Sequence, residues 1–461
     1  MIRVLGIPMS YNKVRLFVQD LLIFSAVLPL AVALRLGPES AFSYMGGHRT
    51  TYALFVLIFV ACFSTADLYD LKRDYRRVNS MIYVFGACFF AMVAAVIIFY
   101  STTSYLGRGI FLLSGALIFL CSALTRSMYT TNAGSIQWKK RILIVGAGDA
   151  GQSLLEEILG HHNCGFWVVG FVDDDPAMQG GLINRKPVLG TSERLMQLAV
   201  EHGVELIALC ITARKDRQLL RNLIKCHYNH IDVQDMPTIY ETITGKLPLK
   251  YITDDWLLHC AMHSQRLLYR KIKRLLDISI SLLLLVLAAP VVLLAMLLIR
   301  LDSRGGVLYR QERLGQNFRK ITVYKLRTMV QDAEGRTGAV WAAKDDPRVT
   351  RVGNYLRRFR VDELPQLLNV LMGDMSFVGP RPEREVFIRE FEKDVPSYGH
   401  RLVVKPGLTG WAQVMSGYAG SKEESVEKLR YDLYYIKNMS IMLDMLIVLK
   451  TIRIVLAFGG R

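Results

Sequence analysis

The sequence predicts a three-part membrane protein. Residues 1–135 read as a membrane α-helical bundle of four transmembrane helices and 136–255 as a Rossmann-like α/β domain. Residues 262–461 read as an α/β domain held at the membrane by a re-entrant, proline-broken helix and by interfacial helices. Three observations predict this. Four apolar stretches open the chain, each about the 20 residues a helix needs to cross a bilayer. A β-branched strand, a glycine turn and an amphipathic helix follow. A longer apolar run, interrupted by Pro290 and bounded on both sides by lysine and arginine, then opens the last part.

Composition bounds the function. The chain has 461 residues, 52% of them hydrophobic, and a mean hydropathy of +0.26, between a soluble enzyme and a fully polytopic carrier. Its net charge of +17, from 57 basic against 40 acidic residues, suits an anionic membrane surface or phosphate substrates. No aromatic-rich RNA-binding signature or recognition helix accompanies it, so nucleic acid is not the expected partner. Cys62, Cys88, Cys121, Cys164, Cys210, Cys226 and Cys260 are scattered, without C-x-x-C or a Cys-His cluster, which argues for a reducing compartment. No signal-peptidase pattern follows the first apolar run, which reads as an uncleaved anchor.

The first four apolar segments cover roughly 14–34, 52–71, 80–100 and 109–125. Arg3, Lys13 and Arg15 precede the first, Lys72, Arg73, Arg76 and Arg77 fill the second loop, and Arg126, Lys139, Lys140 and Arg141 follow the fourth. The other loops carry little beyond Arg49 and Arg108, so the bias of basic loops puts both ends of the bundle in the cytoplasm. Asp20 and Asp67 lie in or beside apolar runs. They read either as marks of a transport path or, more commonly, as residues facing helix partners.

In the middle part, RILIVGAGDAGQSLLEEIL places Gly146, Gly148 and Gly151 in G-x-G-x-x-G between strand and helix. A second strand, FWVVGFV, ends at Asp173, where a ribose-binding acid would stand. Two readings remain open: a nucleotide site, or a glycine turn that only packs helix against strand. No Tyr-x-x-x-Lys or hydride-transfer arrangement follows.

The apolar run from Leu275 to Ile299 is long enough to span the bilayer. Arg270, Lys271, Lys273 and Arg274 precede it, and Arg300, Arg304, Arg310 and Arg313 follow, so one crossing would export a strongly basic flank. Pro290 removes a helix hydrogen bond mid-run. The economical expectation is a helix that dips in, breaks and returns; an ordinary kinked span is the alternative. In the next stretch Lys325 and Arg327 stand two apart in an alternating pattern, on one face, where they suit a diphosphate or a solvated strand. The adjacent pair Asp362-Glu363 lies between Arg357, Arg358 and Arg360 on one side and Arg381 on the other. It precedes a short apolar helix with Pro365 near its start and Gly373 past its end. Taken alone, the pair is either a surface ion network or a phosphate site with a divalent metal between carboxylate and phosphate. The last helix, around 441–458, either lies in the interface or packs on the core.

Six motifs carry a family resemblance. These are KRLLD (273–277), YKLRTM (324–329), DPRVTRVG (346–353), DELPQLLNVLMGDMSFVGPRP (362–382), PGLTGWAQV (406–414) and YYIKN (434–438). The segment from about Lys271 resembles the catalytic domain of monotopic polyprenyl-phosphate phosphoglycosyl transferases, the bacterial sugar transferases. With the parts ahead of it, the chain is similar to the large, exopolysaccharide-type members. The resemblance implies that an aspartate at Asp362 attacks the β-phosphate of a UDP-sugar and UMP leaves. Undecaprenyl phosphate then takes the phosphosugar. It implies Mg²⁺ at Asp362 and Glu363, with Glu363 assisting with metal or proton, and phosphate contacts from Lys325, Arg327, Arg357 and Arg381. It also implies a bacterial inner-membrane protein whose active face is cytoplasmic and in contact with membrane lipids, with surface for a homodimer. UDP-glucose or UDP-galactose is the family-level expectation. Two departures appear: Ala289 stands before Pro290 where a small polar residue is usual, and Gly305-Gly306 replaces Gly-Pro. The competing readings are a membrane-tethered NAD-dependent nucleotide-sugar oxidoreductase or epimerase, and a scaffold for polysaccharide export.

Overall fold

The computed structural model describes residues 2–456, apart from 5–6, 10, 67, 70–77, 102–106, 133–138, 162–163, 212–216, 252–266, 332, 334–345 and 417–421. Asp67, Cys260, the basic loop of Lys72, Arg73, Arg76 and Arg77, and both expected domain linkers lie outside the described residues. The chain divides into two compact units, Met1–Val4 with Pro8–Gly245, and Leu5–Ile7 with Lys246–Arg461.

The first unit begins with helices α1 (Tyr11–Leu36), α2 (Pro38–Gly47), α3 (Arg49–Thr65), α4 (Val78–Ser101) and α5 (Arg108–Asn132). Phe24, Leu28, Ala31, Phe55, Phe59, Phe63, Ala91 and Ile118 form their shared core. Leu22, Leu34, Leu57, Ile97 and Leu112 point outward, an apolar exterior that only lipid suits. The segments Val14–Leu36, Met81–Phe99 and Arg108–Met128 are long and apolar enough to cross a membrane. The expected second span is not: α3 has 17 residues and stops at Thr65, and it reaches spanning length only together with α2 across a sharp bend. The turn at Gly46-Gly47-His48, where the His48 ring stacks on Tyr44, breaks what would otherwise be one helix. Asp20 and Arg126 meet inside this bundle. The guanidinium donates to both carboxylate oxygens, at 2.9 and 2.6 Å, with both residues fully buried. Arg126 is therefore not the loop cation that the sequence implied.

An α/β layer follows. Strands β1 (Lys140–Val145), β2 (Phe166–Val172), β3 (Leu182–Ile183), β4 (Lys186–Gly190), β5 (Leu206–Leu209) and β6 (Asp232–Asp235) form one sheet in the order β3-β4-β2-β1-β5-β6. All neighbours are parallel except β3 and β4. Leu143, Val145, Ile207 and Leu209 pack against Leu195, Leu198, Leu219 and Leu223 from helices α7 (Leu195–Glu201) and α8 (Arg217–Tyr228).

The glycine turn between β1 and α6 (Asp149–Gly160) serves close packing. A Cβ on Gly151 would lie 2.0 Å from the Gly146 carbonyl oxygen, so only glycine lets the helix sit this near the strand. Gly146 has φ +106 and donates to Val172 O at 2.8 Å, while Gly148 faces open space. Asp173, expected to reach a ribose, instead accepts the Ala147 N–H of the turn itself at 2.6 Å. Its carboxylate lies on a donor that a bound phosphate or ribose would approach, because it is tethered one strand end away.

The second unit opens with α10 (Leu267–Asp302), preceded in the chain by α9 (Met236–Thr244). It continues with the antiparallel hairpin β7 (Leu308–Leu314) and β8 (Lys320–Leu326), then α11 (Arg351–Arg358) and α12 (Gln366–Met372). Strand β9 (Ser376–Val378), α13 (Glu385–Asp394), β10 (Gly407–Thr409), α14 (Trp411–Met415), α15 (Lys422–Lys437) and α16 (Ile441–Leu456) complete it, with β9 and β10 parallel. The expected break at Pro290 is absent as an interruption: α10 is one 36-residue helix with the proline inside it. A proline costs a helix one hydrogen bond, which a long helix absorbs by bending without ending. Helix α16 buries Leu443 and Ile447 and exposes Met445, Ile452 and Val455, so it both packs on the core and keeps an apolar outer face.

Candidate active site

The acidic pair is placed by a short sequence of local decisions. Thr350 caps α11, its hydroxyl accepting the Gly353 N–H at 3.0 Å. A Cβ on Gly353 would meet Thr328 O at 2.1 Å, so this glycine is what lets α11 lie against the chain leaving β8. At Arg360 the backbone turns left-handed, φ +58, a conformation that costs a non-glycine residue about 1–2 kcal/mol. That turn throws Val361–Glu363 into a single 3₁₀ turn ahead of α12, with Pro365 as the helix cap and Gly373 at φ +93 closing its far end. Asn369, fully buried in α12, donates to Thr322 O at 2.6 Å and accepts Tyr324 N–H at 3.1 Å. Those two bonds fix β8, and so Lys325, against the acids.

Glu363 and Asp362 are adjacent and both buried, yet their surroundings differ. Glu363 Oε1 receives Arg381 Nη2 at 2.5 Å and Lys325 Nζ at 3.5 Å, and its Oε2 faces Arg360 Nη1 at 3.5 Å. Burial alone would raise its pKa, but Arg381, Lys325 and Arg360 outweigh burial and hold the carboxyl well below the usual range. Asp362 Oδ1 is buried and has no hydrogen-bond partner. Burial, then the charge of Glu363, push the Asp362 carboxyl up to about 6, against the pull of Lys325, Arg357 and Arg360. One carboxylate is neutralised; its neighbour is desolvated and unsatisfied. Two acids driven apart in this way are the mark of a division of labour.

The other expected residues divide. Lys325 and Arg381 reach the acids directly. Arg357 stands one step away, its Nε donating to Thr328 Oγ1 at 2.9 Å. Arg327 does not join Lys325. Strand β8 ends at Leu326, so the alternation stops there, and the Arg327 guanidinium donates to Arg304 O at 2.6 Å and Ser303 O at 2.7 Å. It caps the C-terminus of α10 and does not point at a diphosphate. Gly305 makes room for it, since a Cβ there would lie 2.2 Å from Arg327 Nη1. Two supporting residues went unread in the sequence. Asn369 is a buried amide in an otherwise apolar helix. Asp277 accepts Ser376 Oγ at 2.8 Å and Phe377 N–H at 3.0 Å. A carboxylate at the mouth of an apolar run was the available signal for the second.

The sequence expects a divalent cation at the acidic pair. No group of three or more His, Cys, Asp or Glu that could hold a metal occurs among the described residues. Magnesium is commonly held by one or two carboxylates with substrate phosphates and water completing its shell. The unpartnered Asp362 Oδ1 supplies such a carboxylate beside Glu363.

A bacterial sugar transferase family model matches residues 268–458, and a model described as a CoA-binding domain matches 64–237. The chain is 43% identical over 242 residues to the UDP-N-acetylgalactosamine-undecaprenyl-phosphate N-acetylgalactosaminephosphotransferase of Aeromonas hydrophila, covering 52% of this chain but only 56% of that protein. It is 34% identical over 344 residues to the UDP-glucose:undecaprenyl-phosphate glucose-1-phosphate transferase of Escherichia coli, covering 71% of each. Over 188 residues it is 45% identical to the exopolysaccharide production protein PSS of Rhizobium leguminosarum bv. phaseoli, covering 39% of this chain and 93% of that one. The apolar helices and these relatives together define a membrane-associated transferase. The chain belongs to the bacterial sugar transferase family.

Proposed function

We propose that this protein transfers a sugar 1-phosphate from a UDP-sugar to undecaprenyl phosphate, releasing UMP, as a first membrane step in building a surface polysaccharide. The observation that carries the reading is the buried, unpartnered Oδ1 of Asp362 beside a Glu363 held by three cations. An Asp362 oxygen attacks the β-phosphorus of the donor, and the bond from that phosphorus to the bridging oxygen breaks. UMP departs with the bonding pair, leaving a phosphosugar on the aspartate. A phosphate oxygen of the lipid then attacks the same phosphorus, and the aspartyl–phosphorus bond breaks to restore the carboxylate. Splitting one transfer into two gives each step a strong, pre-placed nucleophile. Lys325, Arg357 and Arg381 hold the phosphates, while Glu363 keeps Arg381 and Lys325 in place. Mg²⁺ at Asp362 and Glu363 supplies charge neutralisation between the anions when bound. Membranes supplied with Mg²⁺, undecaprenyl phosphate and a panel of UDP-glucose, UDP-galactose and UDP-N-acetylgalactosamine are expected to release UMP with one of them. No release with any sugar would sink the reading.

The same reading puts the site on the cytoplasmic face of the inner membrane, and it requires that α10, an unbroken helix, bend at Pro290 so that it enters and leaves the bilayer on one side. Its support is that both ends of α10 hold polar contacts on one folded body. Near its start Arg274 donates to Val370 O and Leu371 O, and Asp277 binds Ser376 and Phe377. Near its end Ala295 and Ile299 pack with Leu326 and Leu356, and Arg327 caps the last turn. A crossing helix would carry one of these sets to the far side of a hydrocarbon layer about 30 Å thick. Single cysteines at Lys271 and Arg304 in spheroplasts are expected to share one labelling pattern, shielded from an impermeant maleimide until the membrane is opened. Labelling of one but not the other from outside would mean that α10 crosses. The α/β layer of the first unit is assigned a Rossmann-like, structural role, since Asp173 already occupies its glycine turn.

A further inference from the structure

The loop that presents Arg381 has an unusual hydrogen-bond problem. It runs Gly379-Pro380-Arg381-Pro382-Glu383, and neither proline has an N–H to offer a neighbouring ladder. All four carbonyls from 380 to 383 are nevertheless met from outside the loop. Gly407 N donates to Pro380 O at 2.8 Å, Arg401 Nη2 to Arg381 O at 3.2 Å, Arg313 Nη1 to Pro382 O at 3.4 Å, and Leu314 N to Glu383 O at 3.0 Å. The two middle donors are arginines. Arg401, in the turn Pro396–Val403, is 4% exposed and also donates to Tyr398 Oη at 2.8 Å and pairs with Asp432 at 2.7 Å. The Glu383 carboxylate lies between the two, 3.7 Å from Arg313 and 3.9 Å from Arg401.

We propose that Arg401 and Arg313 are positioning residues that grip successive carbonyls of the Arg381 loop and so aim the Arg381 guanidinium at Glu363 and the donor phosphate. The inference rests on the proposed reading of the Asp362-Glu363 site. Both side chains spend their hydrogen bonds on the loop and its surroundings, Arg313 on Gln311 and Pro382 O, Arg401 on Tyr398, Asp432 and Arg381 O. Their chemistry fits holding. A guanidinium is a rigid fork that serves a carbonyl and a carboxylate at once, whereas an ammonium is a single point of charge. Burying Arg401 beside Asp432 and Tyr398 removes its freedom to swing, which makes it a fixed post for a segment whose two prolines have no N–H to donate. Arg381 is a third exposed and carries one strong contact, to Glu363, so its aim depends on where its backbone stands. Small displacements of a phosphate-holding group are expensive in rate.

A double-mutant cycle in the full-length protein, reconstituted in lipid nanodiscs and read by UMP release, tests this. Arg401→Gln is expected to lower kcat/KM on the order of 100-fold. Arg401→Lys keeps the charge opposite Asp432 but loses the fork, and is expected to remain well below wild type. Added to Arg381→Gln, the Arg401→Gln change is expected to cost less than about 3-fold more, because the group it aims is already gone. Losses that simply multiply, or Arg401 variants with wild-type rates, overturn the proposal. Arg313→Gln repeats the cycle from the other carbonyl, so a misfolded Arg401 variant does not end the test: coupling to Arg381 supports the grip and independence overturns it. Additivity on an active wild type refutes positioning alone, whereas a wild type that releases no UMP refutes the site reading and this inference with it.

Discussion

Replacing Asp362 by asparagine is expected to lower UMP release by a factor of roughly a thousand or more, because it removes the carboxylate proposed as the nucleophile. Glu363, one residue away, is held by Arg381, Lys325 and Arg360 and is a poor donor of an electron pair. An Asp362→Asn protein with full activity would end the two-step mechanism. The same substitution has a signature in stability. Burial raises the Asp362 carboxyl to about 6, so the folded chain favours its protonated form. That contribution is present below the ordinary aspartate range and is lost as pH rises through about 6. Asparagine is never charged, so the variant is expected to melt above wild type at pH 8, with the gap closing as pH falls toward 4. Activity runs the other way. In the proposed mechanism the attacking form is the carboxylate, so kcat/KM of the wild type is expected to fall about tenfold per pH unit below about 6. A pH–rate profile flat down to 4 would mean that the nucleophile is not this carboxyl. A site that gives up stability to keep an unpaired carboxylate is the usual trade of an active site.

Arg126→Ala is expected to be the most damaging single change to the membrane bundle, costing about 3–5 kcal/mol. Its partner Asp20 would be left fully buried without the guanidinium that meets both its oxygens. The pair is bidentate, and the guanidinium also lies 5.1 Å from the centre of the Phe63 ring. The lesson of buried ion pairs is that removing one partner is far worse than removing both. The double replacement Asp20→Leu with Arg126→Met is therefore expected to recover most of the loss. Thermal unfolding in nanodiscs measures both. Equal midpoints for Arg126→Ala and wild type would show that the pair does not hold the bundle. The contact also fixes register, since it ties α1 to α5 at one height.

Much of this was legible along the chain. Hydrophobic length announced α1, α4, α5 and α10, because a bilayer demands about 20 apolar residues in a row and leaves little else to explain them. The strand, glycine turn and helix around Gly146 were readable because close packing there tolerates no side chain, which the 2.0 Å approach at Gly151 confirms. Asp362, Glu363, Lys325 and Arg381 stand out as charges at fixed spacing beside glycine and proline, and they meet in space. These are properties of local sequence: periodicity, length, backbone permission.

What needed the tertiary structure was the partner of each charge. Lys325 and Arg327 look equivalent in a strand pattern, yet β8 ends between them, so one reaches Glu363 and the other caps α10. Asp173 stands where a ribose ligand would, and only the fold shows its carboxylate accepting the Ala147 N–H of the glycine turn. Arg126 looks like a cytoplasmic loop cation until Asp20 is found 106 residues away in the chain and 2.6 Å away in space. A charge is placed by whatever long-range neighbour offsets its desolvation, and that neighbour is written nowhere near it in the sequence. Hydrophobic pattern and glycine therefore determined the elements of this protein, whereas only the fold decided which carboxylate at residues 362 and 363 is held by cations and which keeps a buried oxygen without a hydrogen-bond partner.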